Sequence, residues 1–157
     1  MFALALLASC APRPAPPAPP PPPPPPPAEP PPPPPVLLDW QDAPLSDGDW
    51  SYVAAGGRSV ATFGGMFIML CGPDRQVSLT RADATGNALT VRTTDGGRSL
   101  AAAAQPGGLV ASLNPSDPLL DAMVFSRGRF AVGAAGVPLL ILPAWPEPAR
   151  VIEDCRG

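Results

Sequence analysis

Met66-Phe67-Ile68-Met69-Leu70-Cys71 runs into Gly72-Pro73-Asp74 and then Gln76-Val77-Ser78-Leu79-Thr80. The first run is short and apolar throughout, which predicts a central strand buried on both faces. Gly-Pro-Asp is turn chemistry. The second run alternates apolar and polar residues, as a strand with one face on a core does. Strand, tight turn and strand make an antiparallel pair.

The flanking sequence keeps this period. Asp49-Trp50-Ser51-Tyr52-Val53 alternates, Gly56-Gly57 turns, and Ser59-Val60-Ala61-Thr62-Phe63 pairs back as a hairpin. Residues 83–87 read as a loop and 88–93 as a strand. Asp95-Gly96-Gly97 is a hairpin turn answered by Arg98-Ser99-Leu100. The four alanines at 101–104 are ambiguous, helical by propensity but set in a β frame.

The last third changes character. Asn114-Pro115 or Asp117-Pro118 supplies an N-cap with proline at the first helical position. Leu119, Leu120, Met123 and Val124 then share a helical stripe, with Gly128 as the C′ residue. Arg129-Phe130-Ala131-Val132 and Leu139-Leu140-Ile141-Leu142 are strands, and Pro143 stops the second. A short helix over 149–155 closes the chain, with Val151 and Cys155 on one face. The architecture expected is α+β: seven or eight mostly antiparallel strands in a sandwich or open barrel, with two short helices in the C-terminal half.

The N-terminus is of another kind. Leu7-Ala8-Ser9-Cys10 resembles the lipobox of bacterial lipoproteins. The resemblance implies cleavage before Cys10 and a diacylglycerol thioether on its sulfur, placing the chain in the cell envelope. Ala11 after it, rather than Asp, resembles the sorting context of outer-membrane lipoproteins facing the periplasm. A secretory leader opens on basic residues and a longer apolar run than residues 1–8 offer, so the start codon is expected upstream. The alternative is a chance cysteine in an Ala/Leu-rich start.

Residues 11–35 hold nineteen of the chain's 28 prolines. Proline donates no backbone hydrogen bond, so neither helix nor sheet is available there. A polyproline II arm of about 75 Å is expected, a spacer between an anchored Cys10 and a globular domain over 36–157. PxxP ligands for SH3-type modules are the competing reading. TonB-type energy transducers also carry proline arms, but on a full membrane helix and with charged repeats that are absent here.

With Cys10 lipidated, Cys71 and Cys155 remain as an even pair in an exported chain, and a disulfide is the default. It would join the terminal helix to the central strand. Two buried free thiols are the alternative.

Two further resemblances concern the domain. The order of elements from Asp117 to Cys155 resembles the C-terminal end of periplasmic proteins of the invasion-associated locus B family, which implies a small disulfide-bearing β domain. Gly48-Asp49-Trp50 ahead of a cysteine-bearing strand is similar to small β-barrel inhibitors of periplasmic hydrolases, of the protease and lysozyme inhibitor type.

Composition excludes several chemistries. The 157 residues carry a net charge of −3, ten arginines, no lysine and no histidine. Mild acidity argues against nucleic acid. Without histidine, Ser-His and Cys-His activation and imidazole metal sites cannot be built. Asp39, Asp42, Asp47 and Asp49 do not have the spacing of a Ca²⁺ loop and read as a solvated lead-in. No metal and no cofactor is expected. Carboxylates Glu147, Glu153 and Asp154 could do acid–base work, but Glu147 and Asp154 flank Arg150 at helix spacing and read as surface ion pairs.

The nearest thing to a site is Trp145, Glu147 and Arg150 with Arg127 and Arg129, an aromatic-plus-arginine patch of the kind that anchors partners. The weightier expectation is structural: Trp145 under the helix, and Arg127 or Arg129 paired with Glu153 or Asp154. The function expected is a non-enzymatic lipoprotein displaying a binding or structural domain, held to the membrane by its lipid, with an envelope protein or peptidoglycan as partner. An inhibitor of a periplasmic hydrolase is the first alternative and a carboxylate hydrolase the second.

Overall fold

The computed structural model describes residues 39–157. Cys10, the proline arm and the start of the expected domain lie outside the described residues.

Among the described residues, ten strands and two helices follow one another as β1 (Trp50–Ala55), β2 (Arg58–Phe63), β3 (Phe67–Cys71), β4 (Val77–Arg81), β5 (Thr85–Thr93), β6 (Gly96–Ala101), β7 (Ala103–Gln105), β8 (Gly108–Leu113), α1 (Pro118–Val124), β9 (Arg129–Ala135), β10 (Leu140–Pro143) and α2 (Pro146–Arg156). They form two antiparallel sheets, ordered β1-β2-β3-β4-β8-β7 and β10-β9-β5-β6, not closed into a barrel. The mostly antiparallel α+β class with two late helices is as expected. The strand total exceeds the expected seven or eight, because Gly108–Leu113 is a full strand and the alanine run is strand on both sides of Ala102. Tertiary pairing overrides alanine's helix propensity there: Ala88 pairs with Ala101 in one sheet and Ala103 with Val110 in the other.

Alternation sets which face is buried. Register places Trp50, Ala61, Met69, Leu79 and Ala111 on the inner face of the larger sheet, all buried. Leu89, Val91, Phe130 and Val132 face them from the smaller sheet. Trp50 and Phe67 meet Phe130 across the layer at centroid distances of 6.5 and 6.4 Å. The central strand β3 is buried on this face alone. Ile68 and Leu70 are half-buried, because no third layer covers the outer face of the sheet. The apolar run therefore overstates its burial.

Arg81 is the charged residue of this core, 5% exposed. Its guanidinium donates to the carbonyls of Met66, Ala82 and Pro138. It ties the end of β4 to the β9–β10 loop, and burial lowers its pKa against the weaker opposing pull of Asp83. Beside it, Gly108 has φ +144°, and an added Cβ would lie 2.3 Å from the Arg81 carbonyl oxygen. Only glycine fits that position.

Asp117 caps α1, its side chain accepting from the Leu119 amide at 2.9 Å, with Pro118 in the first turn. Of the two expected start points, this is the one used. The helix ends at Val124 with Phe125 as C-cap. Gly128 (φ +74°) therefore serves the turn into β9 rather than the helix C-terminus. α2 begins at Pro146 rather than 149, since prolines at its start cost no intrahelical hydrogen bond.

Cys71 and Cys155 are disulfide-bonded, with Cα atoms 5.4 Å apart across a separation of 84 residues. Together with buried Val151 and Ile152, the bond seats α2 against the inner face of the larger sheet. The lead-in is a strap: Ser46 exchanges hydrogen bonds with Ile141, and Arg129 donates to the Ala43 carbonyl. Its four aspartates are exposed.

Candidate functional site

The patch expected around α2 is dispersed in the fold. Trp145 stands at the N-cap of α2, 44% exposed, so it does not pack beneath the helix. Trp50 fills the core instead. Glu147 sits in the first turn of α2, where free N–H groups and the helix dipole favour a carboxylate. Its Oε2 is buried without a hydrogen-bond partner among the described residues.

Arg127 is exposed and held through its backbone amide to Thr94 Oγ1. The Arg129 guanidinium is committed to the Ala43 carbonyl. Neither pairs with Glu153 or Asp154. The ion pairs among the described residues are Arg98–Asp117 and Arg156–Asp121.

Arg150 does not form the expected ion pairs with Glu147 and Asp154. Its guanidinium carbon lies over the Tyr52 ring, 5.5 Å from the centroid. The planar cation gains from the ring face while keeping its edge in water. The Tyr52 hydroxyl donates to Asp154 Oδ2. That bond is the main reason the phenol pKa is raised, helped by burial and by the Asp154 charge and opposed by Arg150. Strand β1 and helix α2 thus meet through a Tyr–Asp–Arg cluster that spacing along α2 alone does not reveal.

A cavity lies next to this cluster. An open groove of about 650 Å³ runs between the β1–β2 turn and the C-terminal half of α2. Arg58, Ser59, Cys71, Arg75, Glu153 and Asp154 line it. Gly56 and Gly57, both with positive φ, make the tight turn that forms one lip. Arg58 and Arg75 make no ion pair among the described residues, and both are exposed. Ser59 is 2% exposed, and its hydroxyl has no hydrogen-bond partner among the described residues. Sequence reading passes over Arg58, Ser59 and Arg75 because β2 and the β3–β4 turn, remote from α2 along the chain, meet it only in the fold. The chemistry on offer is polar recognition: cations from β2 and the β3–β4 turn, carboxylates from α2, and a buried hydroxyl without a partner among the described residues. Among the described residues no group of three or more His, Cys, Asp or Glu could hold a metal ion.

No protein-family model matches the chain, and no curated protein or solved structure matches it.

Proposed function

We propose that the protein is a non-enzymatic cell-envelope lipoprotein, anchored through Cys10, that displays a small disulfide-bonded β domain on a proline arm for binding in the periplasm. The observation that carries this reading is the Cys71–Cys155 disulfide in the core. Such bonds persist in oxidising compartments, and a lipobox-like segment followed by 11–35 is the sequence of a tethered exported protein. No described helix is long and apolar enough to cross a membrane; in this reading the membrane link is the acyl chains on Cys10. The partner is an envelope protein or peptidoglycan.

Metabolic labelling with radiolabelled palmitate tests the anchor. Label should enter the wild-type chain and be lost in Cys10→Ala. Unlabelled, soluble wild-type protein in the periplasm overturns the lipoprotein reading. Sedimentation of the full chain with purified sacculi supports a wall partner, while recovery of one stoichiometric hydrolase supports the inhibitor alternative.

A further inference from the structure

We propose that the groove between the β1–β2 turn and α2 binds a short peptide with a free carboxylate and a free ammonium group. The inference deepens the reading of a binding domain by naming its ligand class, and it does not depend on the lipid anchor.

Three observations carry it. The first is size: about 650 Å³ is within the range of small-ligand sites and admits a few residues of extended peptide. The second is charge. Arg58 and Arg75 line the groove without ion-pair partners among the described residues, and Glu153 and Asp154 line it from α2. A ligand of a single sign would gain from one pair and be repelled by the other. A ligand carrying both charges satisfies both, with guanidinium forks suited to a carboxylate. The third is the floor. The Ser59 hydroxyl is buried and has no partner among the described residues, a costly condition that a ligand carbonyl or amide would relieve.

The test is binding of trialanine to the full chain carrying Cys10→Ser, followed through the backbone amides of Gly57 and Ser59 by NMR. Free trialanine should shift these amides saturably. N-acetylation or C-amidation should each weaken binding by about tenfold or more, as should Arg58→Gln and Arg75→Gln. Ser59→Ala should weaken binding about threefold while leaving the melting temperature unchanged or raised, because it removes an unpaired group. A purely structural serine would lower the melting temperature and leave binding intact. No saturable shift at tens of millimolar peptide overturns the proposal. So does equal affinity for either blocked peptide, or for both arginine variants. Because the variant chain lacks the lipidation site, these outcomes are independent of the palmitate result.

Discussion

Trp50 Nε1 donates to the Pro143 carbonyl at 2.9 Å, joining the first strand of the larger sheet to the last strand of the smaller across 93 residues of chain. The indole also packs edge-on to Phe63 and Phe67 at centroid distances of 5.4 and 6.2 Å. Trp50→Phe keeps most of the apolar contact but leaves the buried carbonyl unpaired. It should cost about 1–3 kcal/mol, against about 3–5 kcal/mol for Trp50→Ala. Guanidinium unfolding reads both. An unchanged midpoint for Trp50→Phe would show that the hydrogen bond contributes nothing net.

Removing the disulfide acts mainly on the unfolded chain. Closing a loop of this length stabilises by about 4 kcal/mol in the chain-entropy model. Cys155→Ser should lower the melting temperature by roughly 10 °C or more for a domain of this size. Helix α2 is only 11 residues long and marginal alone, so it should become the first site of proteolysis while the sheets persist. Mass spectrometry of the protein isolated under non-reducing conditions checks the premise. Two alkylatable thiols in addition to Cys10 would refute it.

Asp117 couples a helix cap to an ion pair. Burial alone would raise its pKa. The hydrogen bond from Arg98, the Leu119 amide and the Arg98 charge together outweigh burial and lower it. A carboxylate depressed in the folded state stabilises above its unfolded value, near 3.9, and that stability is lost as pH falls through the folded value. Asp117→Ala should cost about 0.5–2 kcal/mol at neutral pH through the lost cap. Asp117→Asn keeps the cap and loses only the charge. Its melting-temperature deficit relative to wild type should be present at pH 7 and shrink below about pH 4. A deficit independent of pH would exclude the charge as its cause.

What was legible in the sequence was local. Period-2 alternation locates β1, β2 and β4, an unbroken apolar run locates β3, and Asn114-Pro115 or Asp117-Pro118 announces α1 because cap and proline chemistry act within a few residues. The Cys71–Cys155 bond follows from counting cysteines once the lipobox-like Cys10 is set aside. What was not legible depended on partners distant in sequence. Ile68 and Leu70 read as core because an apolar run carries no information about whether a third layer covers it. Val110 and its neighbours in β8 were hidden behind the Gly107-Gly108 turn signal, though Leu109, Ala111 and Leu113 alternate as clearly as β4. Arg150 was assigned to carboxylates on its own helix, whereas the fold places an aromatic ring from β1 beneath it. The groove was invisible for the same reason: Arg58 and Ser59 on β2, Arg75 in the β3–β4 turn and Asp154 on α2 are far apart along the chain.

Tyr52 provides the sharpest check on the β1–α2 contact, because it is the only tyrosine in the chain and its ionisation can be read by ultraviolet absorbance without overlap from another phenol. The hydrogen bond to Asp154 favours the protonated phenol, burial and the Asp154 charge add to it, and the Arg150 cation opposes them. The folded pKa therefore lies above the ordinary value near 10. A group raised in this way contributes stability that is fully present below its unfolded pKa and is lost as pH rises through the folded one. Asp154→Asn removes the charge and the strong acceptor, so the midpoint should fall toward the ordinary value. Arg150→Gln removes the opposing cation, so the midpoint should rise further. The expected order is Arg150→Gln highest, wild type next and Asp154→Asn lowest. A solvent-exposed tyrosine free of α2 would give three coincident titrations, and that result would mean the helix does not sit on β1 as described.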